Sequence, residues 1–278
     1  MEAQVLLDKY FETAFSAPDG VKKLRELILS LAMQGKLVPQ DPSDQPASEL
    51  LKEIEVEKER LIKEGKIKKS KPLPEITSDE IPYDLPESWE WVKLENIVSI
   101  LGDGIHGTPQ YSEKGEFYFI NGNNLSDGVI EIKNNTKKVS IEEFNKYKKQ
   151  LNKNSVLVSI NGTIGNIAFY NNEKIILGKS ACYFNLLSNI NKLYIKKLIN
   201  SKYFLTYAVN SATGTTIKNV SLKAMREFLV PLPSLAEQYR IVEKINRLME
   251  QCDRLEKLRE QSINKQTQLL DAILSNIQ

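Results

Sequence analysis

The stretch of this chain with the most chemical promise is Gly102-Asp103-Gly104-Ile105-His106-Gly107, which matches G-x-G-x-x-G and follows a strand-like 97–101. A dinucleotide-binding turn works by setting a pyrophosphate on the N-terminus of the next helix. Here Thr108-Pro109 comes next, with Gly115 close behind, so no helix can nucleate and the phosphate has no dipole to meet. The expectation is an open loop that exposes His106, Thr108, Gln110 and Tyr111. His106 is the only histidine, which excludes histidine-based triads and multi-histidine metal sites. The chain has no P-loop and no Asn or Asp followed by two prolines and an aromatic residue. Pro18-Asp19 has no convincing downstream Glu-x-Lys partner for a nuclease site. Cys182 lies in an apolar strand-like run and Cys252 on a helix, where cysteine behaves as a small hydrophobe. These readings point to a non-catalytic chain with no metal or cofactor of its own.

Charge points to a different kind of chemistry. The net charge of +2 hides a division: Lys and Arg against Asp and Glu number 13 against 17 over 1–85, 18 against 12 over 86–233, and 7 against 7 over 234–278. Residues 174–226 carry nine basic side chains (Lys174, Lys179, Lys192, Lys196, Lys197, Lys202, Lys218, Lys223, Arg226) and no acidic one. A one-sign field of this kind attracts a polyanion, and a nucleic-acid backbone is the first candidate; a solvated lysine face is the alternative.

The elements that must carry these residues fall into three parts. Over 1–84 the pattern predicts helices at 2–15, 21–33 (ended by Gly35) and 48–63 (with Ser48 as N-cap), then a basic, proline-bearing linker. Over 85–233 short strands alternate with the turn signals Asn121-Gly122, Asp127-Gly128, Asn161-Gly162 and Asn171-Asn172, with helices at 141–150, 192–201 and 221–226. This middle part is α+β. From Ser234, a cap with Glu237 three residues later, no proline or glycine interrupts the chain to Ser275. Some 40 residues at about 1.5 Å each make a rod on the order of 60 Å. Its seam, Ile241, Ile245, Leu248, Cys252 and Leu255, resumed at Leu269 and Ile273, has coiled-coil spacing and is expected to be a dimer interface. Folding back on its own domain is the alternative. No segment approaches the roughly 18 uninterrupted apolar residues of a membrane span, and Glu2, Asp8 and Glu12 do not suit a signal peptide, so a cytoplasmic protein is expected.

Several motifs resemble those of the specificity subunit of type I restriction-modification systems. They are Leu24-Arg25-Glu26-Leu27-Ile28-Leu29, continuing at Ala32-Met33-Gln34-Gly35-Lys36-Leu37-Val38-Pro39-Gln40-Asp41, then Pro46-Ala47-Ser48-Glu49-Leu50-Leu51 and Leu85-Pro86-Glu87-Ser88-Trp89-Glu90-Trp91. The run 213–238 resembles that family's passage from a target recognition domain into a helical region. The resemblance implies a helical region and linker (1–84), a DNA-binding target recognition domain (85–233) and a helical spacer (234–278). It implies double-stranded DNA as ligand and the modification (adenine methyltransferase) subunit as partner, with S-adenosylmethionine held on that subunit. Restriction subunits join in the full complex. One recognition domain and one helix look like a half subunit, and two copies paired antiparallel would read an interrupted palindrome. A stand-alone DNA-binding protein and a coiled-coil adaptor are the rival readings.

For a DNA reader, polar side chains on the Gly-rich loops would meet base edges while Lys and backbone amides hold phosphates. The candidates are His106, Thr108, Gln110 and Tyr111 on one loop, Asn121, Asn123 and Asn124 on a second, and Lys179, Thr216 and Lys218 in the basic segment. Turn formation is the competing role for each asparagine, and packing is the competing role for Tyr111.

Overall fold

The computed structural model describes residues 17 and 19–276; the helix expected over 2–15 lies outside them. Helix α1 spans Gly20–Met33 and α2 spans Ala47–Lys63. Ser48 is a helical residue, not the cap: Pro46 precedes the first turn with an extended ψ, and its carbonyl accepts the turn's first hydrogen bonds, from the Glu49 and Leu50 main-chain amides at 3.0 and 3.3 Å. Beyond the linker come β1 (Glu90–Lys93) and β2 (Val98–Asp103), joined by a 3-10 turn. β3 (Phe117–Ile120), β4 (Leu125–Ser126), β5 (Val129–Ile130), β6 (Lys138–Val139) and helix α3 (Ile141–Tyr147) follow. β7 (Ser155–Ser159), β8 (Ile167–Phe169), β9 (Ile175–Leu177) and β10 (Ala181–Leu186) lead into α4 (Lys192–Ile199) and α5 (Lys202–Asn210). A small hairpin, β11 (Ala212–Thr213) and β12 (Asn219–Val220), then α6 (Leu222–Glu227), β13 (Leu229–Leu232) and α7 (Leu235–Ser275) complete the chain.

The architecture is mixed α and β. Its centre is the antiparallel sheet β2-β10-β7-β8, flanked by a smaller sheet β6-β3-β9 in which β3 and β9 run parallel. Alternation in β7 and β10 sends side chains to opposite faces. Val156, Val158, Cys182 and Phe184 enter the main core with α1, α2 and α4 to α7, whereas Leu157, Ala181 and Tyr183 enter a second core with Ile120, Leu125, Ile175 and Leu177. Both faces are covered, which is why these strands read as unbroken apolar runs. α5 was not foreseen from sequence: Ser201 caps it by accepting from the Phe204 amide, and Phe204 and Ala208 turn into the core.

The seam of α7 divides in two. Ile241, Ile245 and Cys252 are buried in the main core and Leu248 and Leu255 pack against it, where α7 lies along α1 and α4. This corrects their assignment to a dimer interface: α1 presents its own stripe, Leu24, Ile28 and Leu31, and the shortest route to burial is within the chain. Arg25 follows the same path, its guanidinium 2.7 Å from Asp253 and 2.9 Å from Glu256. Those carboxylates are more than half exposed, so the ion pairs contribute on the order of 0–1 kcal/mol each. Leu269 and Ile273, 63% and 48% exposed, meet nothing in this core.

The start of α7 is fastened to the rest of the fold. Ser234 Oγ accepts from the Glu237 amide at 3.0 Å, as the capping motif requires. The Glu237 carboxylate turns inward and accepts from Trp89 Nε1 at 2.8 Å and Gln40 Nε2 at 2.6 Å. Desolvation raises the pKa of this buried acid despite both donors. An acid with a raised folded pKa costs stability above that pKa and costs nothing once protonated. Trp89→Phe removes a donor to the charged form, so it is expected to destabilise the protein by about 1.5–3 kcal/mol at pH 7. The loss should shrink as pH falls through the raised carboxylate pKa; thermal melts of both proteins over a pH series from about 4 to 7 measure it, and an equal loss across the whole series would contradict it.

Candidate nucleic-acid interface

The strand registers decide which loops meet. Asp103 at the end of β2 faces Cys182 near the start of β10, and Ala181 faces Ser159 at the end of β7. The loops after β2 and β7 and before β10 therefore leave the sheet at one edge. The pairing continues beyond the strands: Ile105 N donates to Leu177 O at 2.8 Å, Lys179 N to Ile105 O at 3.1 Å, and Ile160 N to Ser180 O at 3.0 Å. The β11–β12 hairpin joins through Val220 N to Ile160 O at 2.9 Å and Asn161 Nδ2 to Asn219 Oδ1 at 3.1 Å. β3 delivers a fifth segment, since Gly178 N donates to Ile120 O at 2.8 Å.

Two glycines allow this closeness. A Cβ on Gly104 would lie 2.0 Å from Leu177 O, and one on Gly122 would lie 2.1 Å from Ser159 Oγ. The G-x-G-x-x-G pattern thus reflects a backbone crossing at Gly104 rather than a phosphate cradle, with no helix after it.

His106 and Thr108 lie on the loop after β2, Lys179 on the segment before β10, and Thr216 and Lys218 on the β11–β12 hairpin, all exposed. The His106 side chain is 71% exposed, with Nε2 2.6 Å from Asp103 Oδ2. Gln110 and Tyr111 stand to one side, against the small sheet. The Gln110 amide donates to Glu143 Oε2 at 3.0 Å, while Tyr111 bridges Val139 and its ring lies 6.0 Å from Phe119. The asparagines separate by role. Asn124 is buried, its Oδ1 accepting from Asn121 N at 3.1 Å and its Nδ2 donating to Glu131 O at 3.0 Å. It is a turn residue: Nδ2 also lies 3.4 Å from Thr136 Oγ1, so both amide hydrogens are engaged and the buried side chain does not face a base edge. Asn121 is half-buried, with Oδ1 accepting from Ser180 Oγ at 3.1 Å, so it too serves the turn. Asn123 alone of the three is exposed. Sequence reasoning passed over Thr163, exposed on the loop after β7 with Oγ1 3.2 Å from Ser159 Oγ. The Asn161-Gly162 turn signal marked that loop, but only the sheet register puts it on this edge.

The acid-free segment is less one-sided in space than in sequence. Lys174 pairs with Glu116, Lys196 with Asp127, Lys223 with Glu227 and Arg226 with Glu95. Lys179 and Lys218 stand outside these pairs, at the loop-lined edge. Lys197, on α4, is partly buried, and desolvation lowers its pKa, so it suits packing better than phosphate contact. A cleft of about 640 Å³ lies elsewhere, between α2, the linker and β1. Among the described residues no group of three or more His, Cys, Asp or Glu could hold a metal ion, and no helix is long and apolar enough to cross a membrane.

The profile of the type I restriction modification DNA specificity domain matches residues 86–265. The chain is 34% identical to the EcoAI specificity subunit of Escherichia coli, over 96% of this chain and 46% of that subunit. It is 37% identical to the EcoEI specificity subunit of Escherichia coli, over 93% and 44% respectively. The chain thus spans less than half the length of these curated relatives. A solved chain from work on complex assembly and conformational transition of the type I R-M system aligns with TM-score 0.50 at 17% identity, over 96% of this chain and 57% of that one. At that identity the match speaks for the fold alone.

Proposed function

This chain belongs to the type I restriction-modification DNA specificity family, and on that premise we propose that it reads a segment of double-stranded DNA and leaves the chemistry to other subunits. The observation that carries the reading is the convergence of five loop segments on one sheet edge, where exposed Lys179 and Lys218 stand beside polar side chains that could meet bases. Residues 85–233 are the reading unit in this proposal, 1–84 a helical region with its linker, and 234–278 a spacer. A modification subunit docks on the chain and supplies S-adenosylmethionine and the pocket that receives the flipped adenine. Restriction subunits complete the assembly. The exposed far half of α7, with Leu258, Leu269, Leu270 and Ile273, takes a partner helix, and a second copy of the chain fits because each would present the same stripe.

The test is co-expression with the modification subunit followed by mapping of methylated adenines. One defined motif is expected from the pair, and no methyl transfer from the purified chain with S-adenosylmethionine alone. Methylation by the chain alone, or methylation by the pair without sequence preference, would overturn the proposal.

A further inference from the structure

We propose that Ser180 is a positioning residue that fixes where the turn bearing Asn123 stands on the DNA-reading edge; the inference rests on the reading role proposed above. Residues 178–180 tie three loops together through the main chain, by Gly178 N to Ile120 O, Lys179 N to Ile105 O and Ile160 N to Ser180 O. The Ser180 side chain adds the tie that reaches the turn. Its Oγ accepts from Gly122 N at 2.9 Å and donates to Asn121 Oδ1 at 3.1 Å. A hydroxyl has one proton to give, and here it goes to Asn121 while a lone pair takes the Gly122 amide.

The turn has little room to move while this hydroxyl is in place. Gly122 is packed against Ser159, and the Asn121 amide lies so close to Gly178 that a Cβ there would sit 2.2 Å from Oδ1. The far end is held by Asn124 through the Asn121 amide and the Glu131 carbonyl. Asn123 projects from between these fixed points, exposed, with its carbonyl accepting from Lys133 Nζ at 3.0 Å. Removing Oγ frees one donor and one acceptor at the root of the turn, yet leaves every main-chain tie of 178–180 intact. The displacement is therefore local to the turn. A base-reading group displaced by a fraction of an ångström loses discrimination, while contacts to the phosphates elsewhere on the edge persist.

The experiment uses the chain in complex with its modification subunit, selecting from a pool of randomised DNA duplexes. Asn123→Ala first marks the base pairs whose preference depends on this turn. Ser180→Ala is expected to lower preference about ten-fold at those same base pairs. Preference elsewhere, the salt dependence of binding and the melting temperature should stay close to the parent. Ser180→Thr keeps the hydroxyl and should recover most of the preference. Asn121→Ala added to Ser180→Ala should cost no more than the larger single change, since the Ser180–Asn121 hydrogen bond that the Asn121 change removes is already lost with the hydroxyl. Unchanged preference in Ser180→Ala, or a uniform loss at all positions with a matching fall in melting temperature, would overturn the assignment. A parent complex that selects no sequence would instead refute the reading role, and this inference with it.

Discussion

Ile245→Asp is expected to unfold the protein's central helix packing, while Asp at Leu269 and Ile273 together leaves it folded. Ile245 is fully buried where α7 meets the main core, and an aspartate there would put its charge among apolar side chains. Losing the side chain's burial and adding a desolvated charge costs on the order of 4–5 kcal/mol or more. For a chain of this size that is a fall of roughly 10–20 °C in melting temperature. Leu269 and Ile273 are largely exposed, so the same charge is solvated there and the melting temperature should hold. Light scattering separates the second effect. The parent is expected to be a dimer at micromolar concentration and the Leu269→Asp, Ile273→Asp variant a monomer. A monomeric parent would remove self-pairing through α7, and an unshifted melt for Ile245→Asp would contradict the packing described here.

Reversing Lys179 and Lys218 to Glu in one chain should lower DNA affinity roughly 100-fold, irrespective of sequence. If each lysine holds one phosphate, the slope of log affinity against log salt falls by about 0.9 per contact, about 1.8 for the pair. Both side chains are exposed at the loop edge and free of the ion pairs that engage Lys174, Lys196, Lys223 and Arg226, so the reversal should leave the fold in place. Asn123→Ala should behave differently, changing preference at one base pair by roughly 1–3 kcal/mol and leaving the salt slope alone. Binding titrations across 50–200 mM salt on cognate and substituted duplexes distinguish the two classes. A uniform loss from both would show that lysines and polar side chains do not divide the work in this way.

Much of the framework was legible in the residues. The seam spacing, the Ser234 cap and the absence of proline or glycine defined α7 almost to its last residue. Asp127 and Asn172 take positive φ at the turns their dipeptides announced. Such features are local, and local chemistry is enough to decide them. The caps fared unevenly: Ser234 is bonded as expected, but α2 begins ahead of Ser48, its first hydrogen bonds closing on the Pro46 carbonyl.

What a periodic stripe touches is not local. The spacing of Ile241, Ile245, Leu248, Cys252 and Leu255 suits a second chain or the chain's own α1 equally well, and only the path of α1 settles the choice. Asn121, Asn123 and Asn124 are chemically identical in sequence, yet one faces solvent and two are spent inside the turn, because their roles depend on Ser180 and Glu131 arriving from distant segments. By its composition and motifs the sequence determined the element types, the turns, the positive excess over 86–233 and the family. The tertiary structure alone decided which of those cations are neutralised, which loops share the edge and which half of α7 remains open, since each depends on strand register and packing between residues far apart in the chain.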